Sequence, residues 1–186
     1  MTTSRLEDLD EANLSPAQKV IYDQILSGPR GIVEGPLRVW LKSPKLADKA
    51  QALGAFCRYD TNLPPRLSEL AIITTGAVWR AGFEWAVHAP IAIKAGVSPQ
   101  IAEAIRLGQE PQFEAEDEAA VYAFSRELHE NRGVSDATYQ RCVAALGEEV
   151  TVELVGILGY YTFISMTINA FHVPLPAGAS DPFPAK

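Results

Sequence analysis

Thiols and basic clusters are what this chain has least of. Only Cys57 and Cys142 occur in 186 residues, far apart and without a Cys-x-x-Cys pair. That excludes a disulfide framework and a paired-thiol redox motif, and a reducing, cytoplasmic setting is the plain expectation. Lys and Arg number 16 against 23 Asp and Glu, for a formal net charge of -7 and a pI of about 5.0. No run of Lys and Arg offsets this balance, so broad binding to nucleic acid or to anionic membranes is not expected. A small anionic substrate would need a few local arginines. There is no Gly-rich phosphate loop, no internal repeat and no segment of convincing strand alternation. The acidic start, Met1 to Asp10, lacks the apolar core of a signal peptide. The apolar run from Val150 to Ile168 is interrupted by Glu153, Thr162, Ser165 and Thr167. It reads as a buried helix rather than a membrane span.

Helix signals fill the rest. Ser15-Pro16, Ser43-Pro44 and Ser98-Pro99 each fit an N-cap followed by proline at the first helical position, and Gln18 completes a capping box with Ser15. The pattern predicts helices over 16–27, 44–59, from Pro65 through Glu69, through Glu84 and His88 to near Gly96, over 99–107, 113–131, from Ser135 to Leu146, and over 149–171. A loop with Gly31, Gly35 and Pro36 should separate the first two. Leu46, Ala50, Leu53 and Phe56 recur at helical spacing on the second. The expectation is therefore an all-α bundle: a flexible start over 1–13, one helical domain over 14–172, and a tail over 173–186. Pro174, Pro176, Pro182 and Pro184 should keep that tail extended, disordered or lying on a neighbouring subunit. The last helix is apolar nearly all round, which suits burial on several sides or a subunit interface.

The chemistry concentrates between Glu69 and His88. Glu84 and His88 are one turn apart on one helix face. Such a carboxylate can hold the imidazole in one tautomer while the ring moves a proton. On one unbroken helix Glu69 would lie roughly 22 Å from Glu84. To join them the chain must turn, and Gly76 and Gly82, with Trp79 and Arg80 between, offer the place. Phe83, Trp85 and Val87 surround the pair with apolar surface, and Trp79 and Trp85 suggest a partly enclosed cleft. Arg80, Arg66 and Arg58 are the candidate cations for an anionic substrate. His172, after the last helix, could enter a pocket from that side. His129 reads as exposed. Tyr160 and Tyr161 read as core, with one hydroxyl finding a partner.

This stretch, the following Ala-Gly-Val-Ser-Pro-Gln-Ile-Ala-Glu-Ala-Ile, and the later Glu-Leu-Val-Gly-Ile-Leu-Gly-Tyr-Tyr and Asn-Ala-Phe-His-Val-Pro-Leu-Pro resemble the carboxymuconolactone decarboxylase and alkylhydroperoxidase D-like superfamily over residues 35–176. The resemblance implies an all-helical fold assembled into trimers or hexamers. The peroxidase branch carries Glu-x11-Cys-x2-Cys-x3-His. Here Glu69 and His88 hold the outer places, but Ala81 and Glu84 stand where the cysteines would be. Peroxide reduction by attack and resolution through two thiols is therefore disfavoured.

The resemblance to the decarboxylase side implies a cofactor-independent lyase acting on a small carboxylated lactone. In it His88, Glu84 and Glu69 would form a proton relay and no metal would be needed. Two rival readings remain at this stage. One is a non-catalytic oligomer that binds a small acid. The other is a metal-dependent hydrolase built on Glu69, Glu84 and His88, although Glu-x-x-x-His is far less specific than His-Glu-x-x-His.

Overall fold

The computed structural model describes residues 4–183. Among them there are nine α-helices and no strand: α1 (Pro16–Ser27), α2 (Pro36–Trp40), α3 (Pro44–Ala55), α4 (Pro65–Val78), α5 (Gly82–Ala95), α6 (Pro99–Leu107), α7 (Glu116–Asn131), α8 (Asp136–Leu146) and α9 (Glu148–Phe171). Ser15 caps α1 in a complete capping box with Gln18, and the Ser98 and Ser135 side chains cap α6 and α8. Ser43 precedes Pro44 as expected, but its side chain makes no capping bond.

Three boundaries differ from the sequence reading. Pro36 starts a helix instead of lying in a loop, because Gly35 takes a positive φ of 55° as its N-cap. Five residues are too few to show a periodicity. α3 stops at Ala55 and passes into a π-helical turn over Phe56–Asp60, which carries Arg58. Such turns widen a helix locally and recur at functional sites. α7 begins at Glu116, three residues later than expected.

α4 is the hub. Its ten residues from Leu67 to Gly76 are all buried, and it packs against α5, α6, α7 and α9. α9 is long and apolar enough to cross a membrane by length and composition. Here it packs as a core helix, burying Leu154, Ile157, Leu158, Ile164 and Ile168 while turning Val152, Val155 and Met166 outward. On α3 the inward residues are Ala47, Ala50 and Gly54, whereas Leu46, Leu53 and Phe56 face out. The helical spacing was legible; the side that it faces was not.

Both ends are tied down where they are described. Arg38 on α2 donates to Asp8 (2.7 Å), Glu11 (2.5 Å) and the Leu9 carbonyl (2.6 Å), and Leu9 is buried. Residues 4–13 are thus docked rather than a loose start. The C-terminal segment folds back on its own chain. Arg80 and Arg106 donate to the carbonyls of Phe183 and Pro182, and the Phe183 ring packs edge-on against Trp85. It is neither a free tail nor, through residue 183, an arm reaching away. Pro184 lies outside the described residues.

Candidate active site

The turn between α4 and α5 builds the site. Trp79 ends α4, Arg80 takes a left-handed conformation (φ 49°), and the amides of Arg80 and Ala81 donate back to the carbonyls of Ala77 and Gly76. This is a helix-ending motif in which glycine is the usual left-handed residue. The chain reverses here as the spacing predicted, but on Arg80 rather than on Gly76 or Gly82. Gly76 instead lies against the Glu84 side chain, where the two helices come close.

The reversal brings Glu69 from α4 onto one ring nitrogen of His88, with Nδ1 2.8 Å from Oε2. Glu84, one turn before His88 on α5, lies with Oε1 3.3 Å from Nε2. All three are buried, at 6%, 3% and 4% exposure for Glu69, Glu84 and His88. The carboxylates flank the imidazole from opposite nitrogens, so one ion could not be shared by all three. Among the described residues no group of three or more His, Cys, Asp or Glu is arranged to hold a metal.

The Glu84 oxygen is close to Nε2 without closing a hydrogen bond. Burial, opposed by His88 and by the more distant Arg58 and Arg30, pushes its carboxyl up to about 7. A protonated Glu84 facing a ring whose Nδ1–H is given to Glu69, and an imidazolium between two carboxylates, differ by one proton moved within the chain of three groups.

A small cavity of about 50 Å³ lies beside this relay and opens to solvent. Arg30 and Arg58 line it, as do Phe83 and Val87 from α5 and Tyr160, Tyr161 and Ile164 from α9. Among the described residues neither arginine is in an ion pair, whereas Arg38, Arg66, Arg106, Arg126 and Arg141 each hold a carboxylate. Arg30 donates to the Tyr160 hydroxyl at 3.2 Å.

Of the residues singled out from sequence, His88, Glu84, Glu69 and Arg58 are brought together. Arg66 is not: it pairs with Asp117 (2.7 Å) and Glu118 (2.6 Å) and ties α4 to α7. Arg80 is spent on the turn and on Phe183. Trp79 meets Asn169 through its carbonyl, Trp85 packs on Phe183, and His172 is the left-handed cap of α9; none lines this pocket. His129, expected in solvent, is partly buried 3.0 Å from Thr75 Oγ1, and burial lowers its pKa.

Arg30 was missed because nothing local marks it. It follows Gly28-Pro29 in a connecting loop and reaches the site only through the packing of Tyr160. Of the two tyrosines, Tyr160 finds a partner and Tyr161 does not, as expected for one of the pair. Cys57 and Cys142 are both buried and unpaired, and burial pushes Cys57 up to about 11. Neither offers a reactive thiolate.

Residues 44–126 match the model of the carboxymuconolactone decarboxylase family. The chain carries a carboxymuconolactone decarboxylase-type segment in an alkylhydroperoxidase D-like fold. A cysteine-to-alanine variant of the debrominase Bmp8, in complex with 2,3,4-tribromopyrrole, superposes with a TM-score of 0.74 at 17% identity, covering 94% of this chain and 95% of that one. An alkylhydroperoxidase core protein from Ralstonia eutropha JMP134 gives 0.75 at 14% identity, covering 95% and 94%. A peroxidase-related protein from Silicibacter sp. TM1040 gives 0.74 at 11%, covering 94% and 92%. No curated protein matches the chain in sequence. The family segment contains Glu69, Glu84, His88 and Arg58, while Arg30 and the two tyrosines come from outside it.

Proposed function

We propose that this protein is a cofactor-independent lyase that removes carbon dioxide from a small, carboxylated, unsaturated lactone or a related acid. The observation that carries this reading is the pairing of two arginines lacking carboxylate partners with a buried acid, Glu84, whose carboxyl stays protonated close to neutral pH. The arginines suit the carboxylate that anchors the substrate. In the reaction the bond from a ring carbon to the departing carboxylate breaks and carbon dioxide leaves. The electron pair delocalises through the double bond onto the lactone carbonyl oxygen. Glu84, acting through or beside His88, then delivers a proton to carbon. Glu69 orients the imidazole through Nδ1. The flat five-membered ring crystallised with the debrominase is of the same size class as a lactone, which supports a compact cyclic substrate.

His88→Gln tests the reading. Against a panel of carboxylated unsaturated lactones, followed by the loss of ultraviolet absorbance and by carbon dioxide release, the variant should lose at least about 100-fold in kcat while remaining folded. Full turnover in that variant rules out the relay. Saturable binding without turnover by the wild-type protein would instead support a non-catalytic ligand-binding role.

A further inference from the structure

Four buried side-chain polar atoms have no hydrogen-bond partner among the described residues: Arg30 Nε, Glu84 Oε1, Tyr161 OH and Ser165 Oγ. The first three belong to residues that line the pocket. The fold is otherwise careful with buried hydroxyls. Thr74, Thr75, Ser125, Thr151 and Thr167 each donate to the carbonyl four residues back. A stranded phenol is costly, and one at a cavity wall points to a ligand that completes it.

Tyr161 is 2% exposed, its ring meets His88 edge-on at 5.1 Å, and it lines the same pocket as His88 and Glu84. Resting on the lyase reading, we propose that the Tyr161 hydroxyl is the catalytic donor that binds the lactone carbonyl oxygen and stabilises the negative charge gathered there when carbon dioxide leaves. The division of labour follows from the chemistry. The arginines are needed by a carboxylate that keeps its charge throughout. Glu84 and His88 must give up a proton to carbon. The developing enolate oxygen needs a donor that does not itself ionise. Burial raises the Tyr161 pKa well above that of an ordinary phenol, so it donates a hydrogen bond and keeps its proton. The step is balanced without it: the hydroxyl forms no bond and transfers nothing.

Tyr161→Phe removes only the oxygen. The probes are tetronic acid, a five-membered lactone whose enol is ionised at neutral pH, and 5-oxotetrahydrofuran-2-carboxylate, a saturated lactone acid with no enolate. Calorimetric titration should show tetronate binding to the wild-type protein. Tyr161→Phe should bind it about 10- to 100-fold more weakly, with no more than a few-fold change for the saturated acid. The variant should melt at an unchanged or higher temperature, because the hydroxyl it lacks had no partner to lose. Equal tetronate affinity in the two proteins, no binding by the wild type, or a variant that melts lower with both ligands weakened alike would overturn the proposal. The tetronate comparison needs no turnover, so it decides Tyr161 even if His88→Gln stays active and the relay fails. A relay confirmed by His88→Gln together with equal tetronate affinity would sink Tyr161 alone.

Discussion

Glu84 is the residue on which burial and charge compete most directly. Its carboxyl titrates near 4.5 in an ordinary setting and near 7 in the fold, so the native state prefers the protonated form. The sign follows. Below about 4.5 both states bind the proton and the fold has its full advantage. Between about 4.5 and 7 only the native state still binds it, so stability falls as pH rises and the advantage is gone above about 7. The size of that loss is on the order of 3 kcal/mol. Glu84→Gln should flatten this part of the profile, and chemical denaturation at pH 5 and pH 8 would measure it. An equally steep decline in the variant would place the effect elsewhere. Cys57 is a contrast at the same scale: its raised pKa marks a packed, inert thiol, so a perturbed group is informative only with a cavity beside it.

Between elements, Gly54 marks a tight approach of α3 to Tyr160 on α9. Gly54 is buried where a Cβ would land on the Tyr160 hydroxyl and on the tip of Arg30. A glycine inside a helix is unfavourable by about 1 kcal/mol relative to alanine, so propensity alone would favour Gly54→Ala. Sterics reverse the sign. The added methyl must push a buried tyrosine or displace Arg30 into the pocket, and overpacking of this kind costs about 1–3 kcal/mol. The expected outcome is a lower melting temperature together with weaker binding of small carboxylates, read by thermal denaturation and titration calorimetry. A stabilised variant with unchanged affinity would show that the Arg30–Tyr160 contact does not need this glycine. The α4–α5 turn illustrates the opposite case. Its position was legible from the spacing of Glu69 and Glu84. The left-handed residue that makes it is an arginine, which no composition rule would choose.

For the molecule as a whole, the outer faces of α3 and α9 are unusually apolar. Leu53 is 50% exposed, Val152 72% and Met166 48%. Surfaces of this kind suit association between copies, in line with the trimer or hexamer that the superfamily resemblance implies. Light scattering on purified protein is expected to give a multiple of the 20.2 kDa chain mass. Val152→Glu combined with Leu53→Glu should shift the population towards single chains. A monomer at tens of micromolar in the unmodified protein would rule out this use of the two faces. Arg58 sits on the π-helical turn that follows α3, so assembly on that face would adjoin one of the pocket's two arginines.

Helix order, most caps, the reversal before Glu84 and the Glu69–Glu84–His88 trio follow from local pattern: propensity, capping and the 3.6-residue repeat act over a few neighbours and leave their mark in sequence. Partner choice does not. Arg66, Arg80 and Arg58 look alike as letters, yet packing assigns the first to an ion pair, the second to a turn and the third to the pocket. Arg30, in the loop after α1, meets Tyr160 on α9 only because segments far apart in sequence pack together. Burial against remote neighbours also decides which acid keeps its proton and which hydroxyl is left without a bond, since desolvation depends on what surrounds a group in space rather than on what precedes it in the chain.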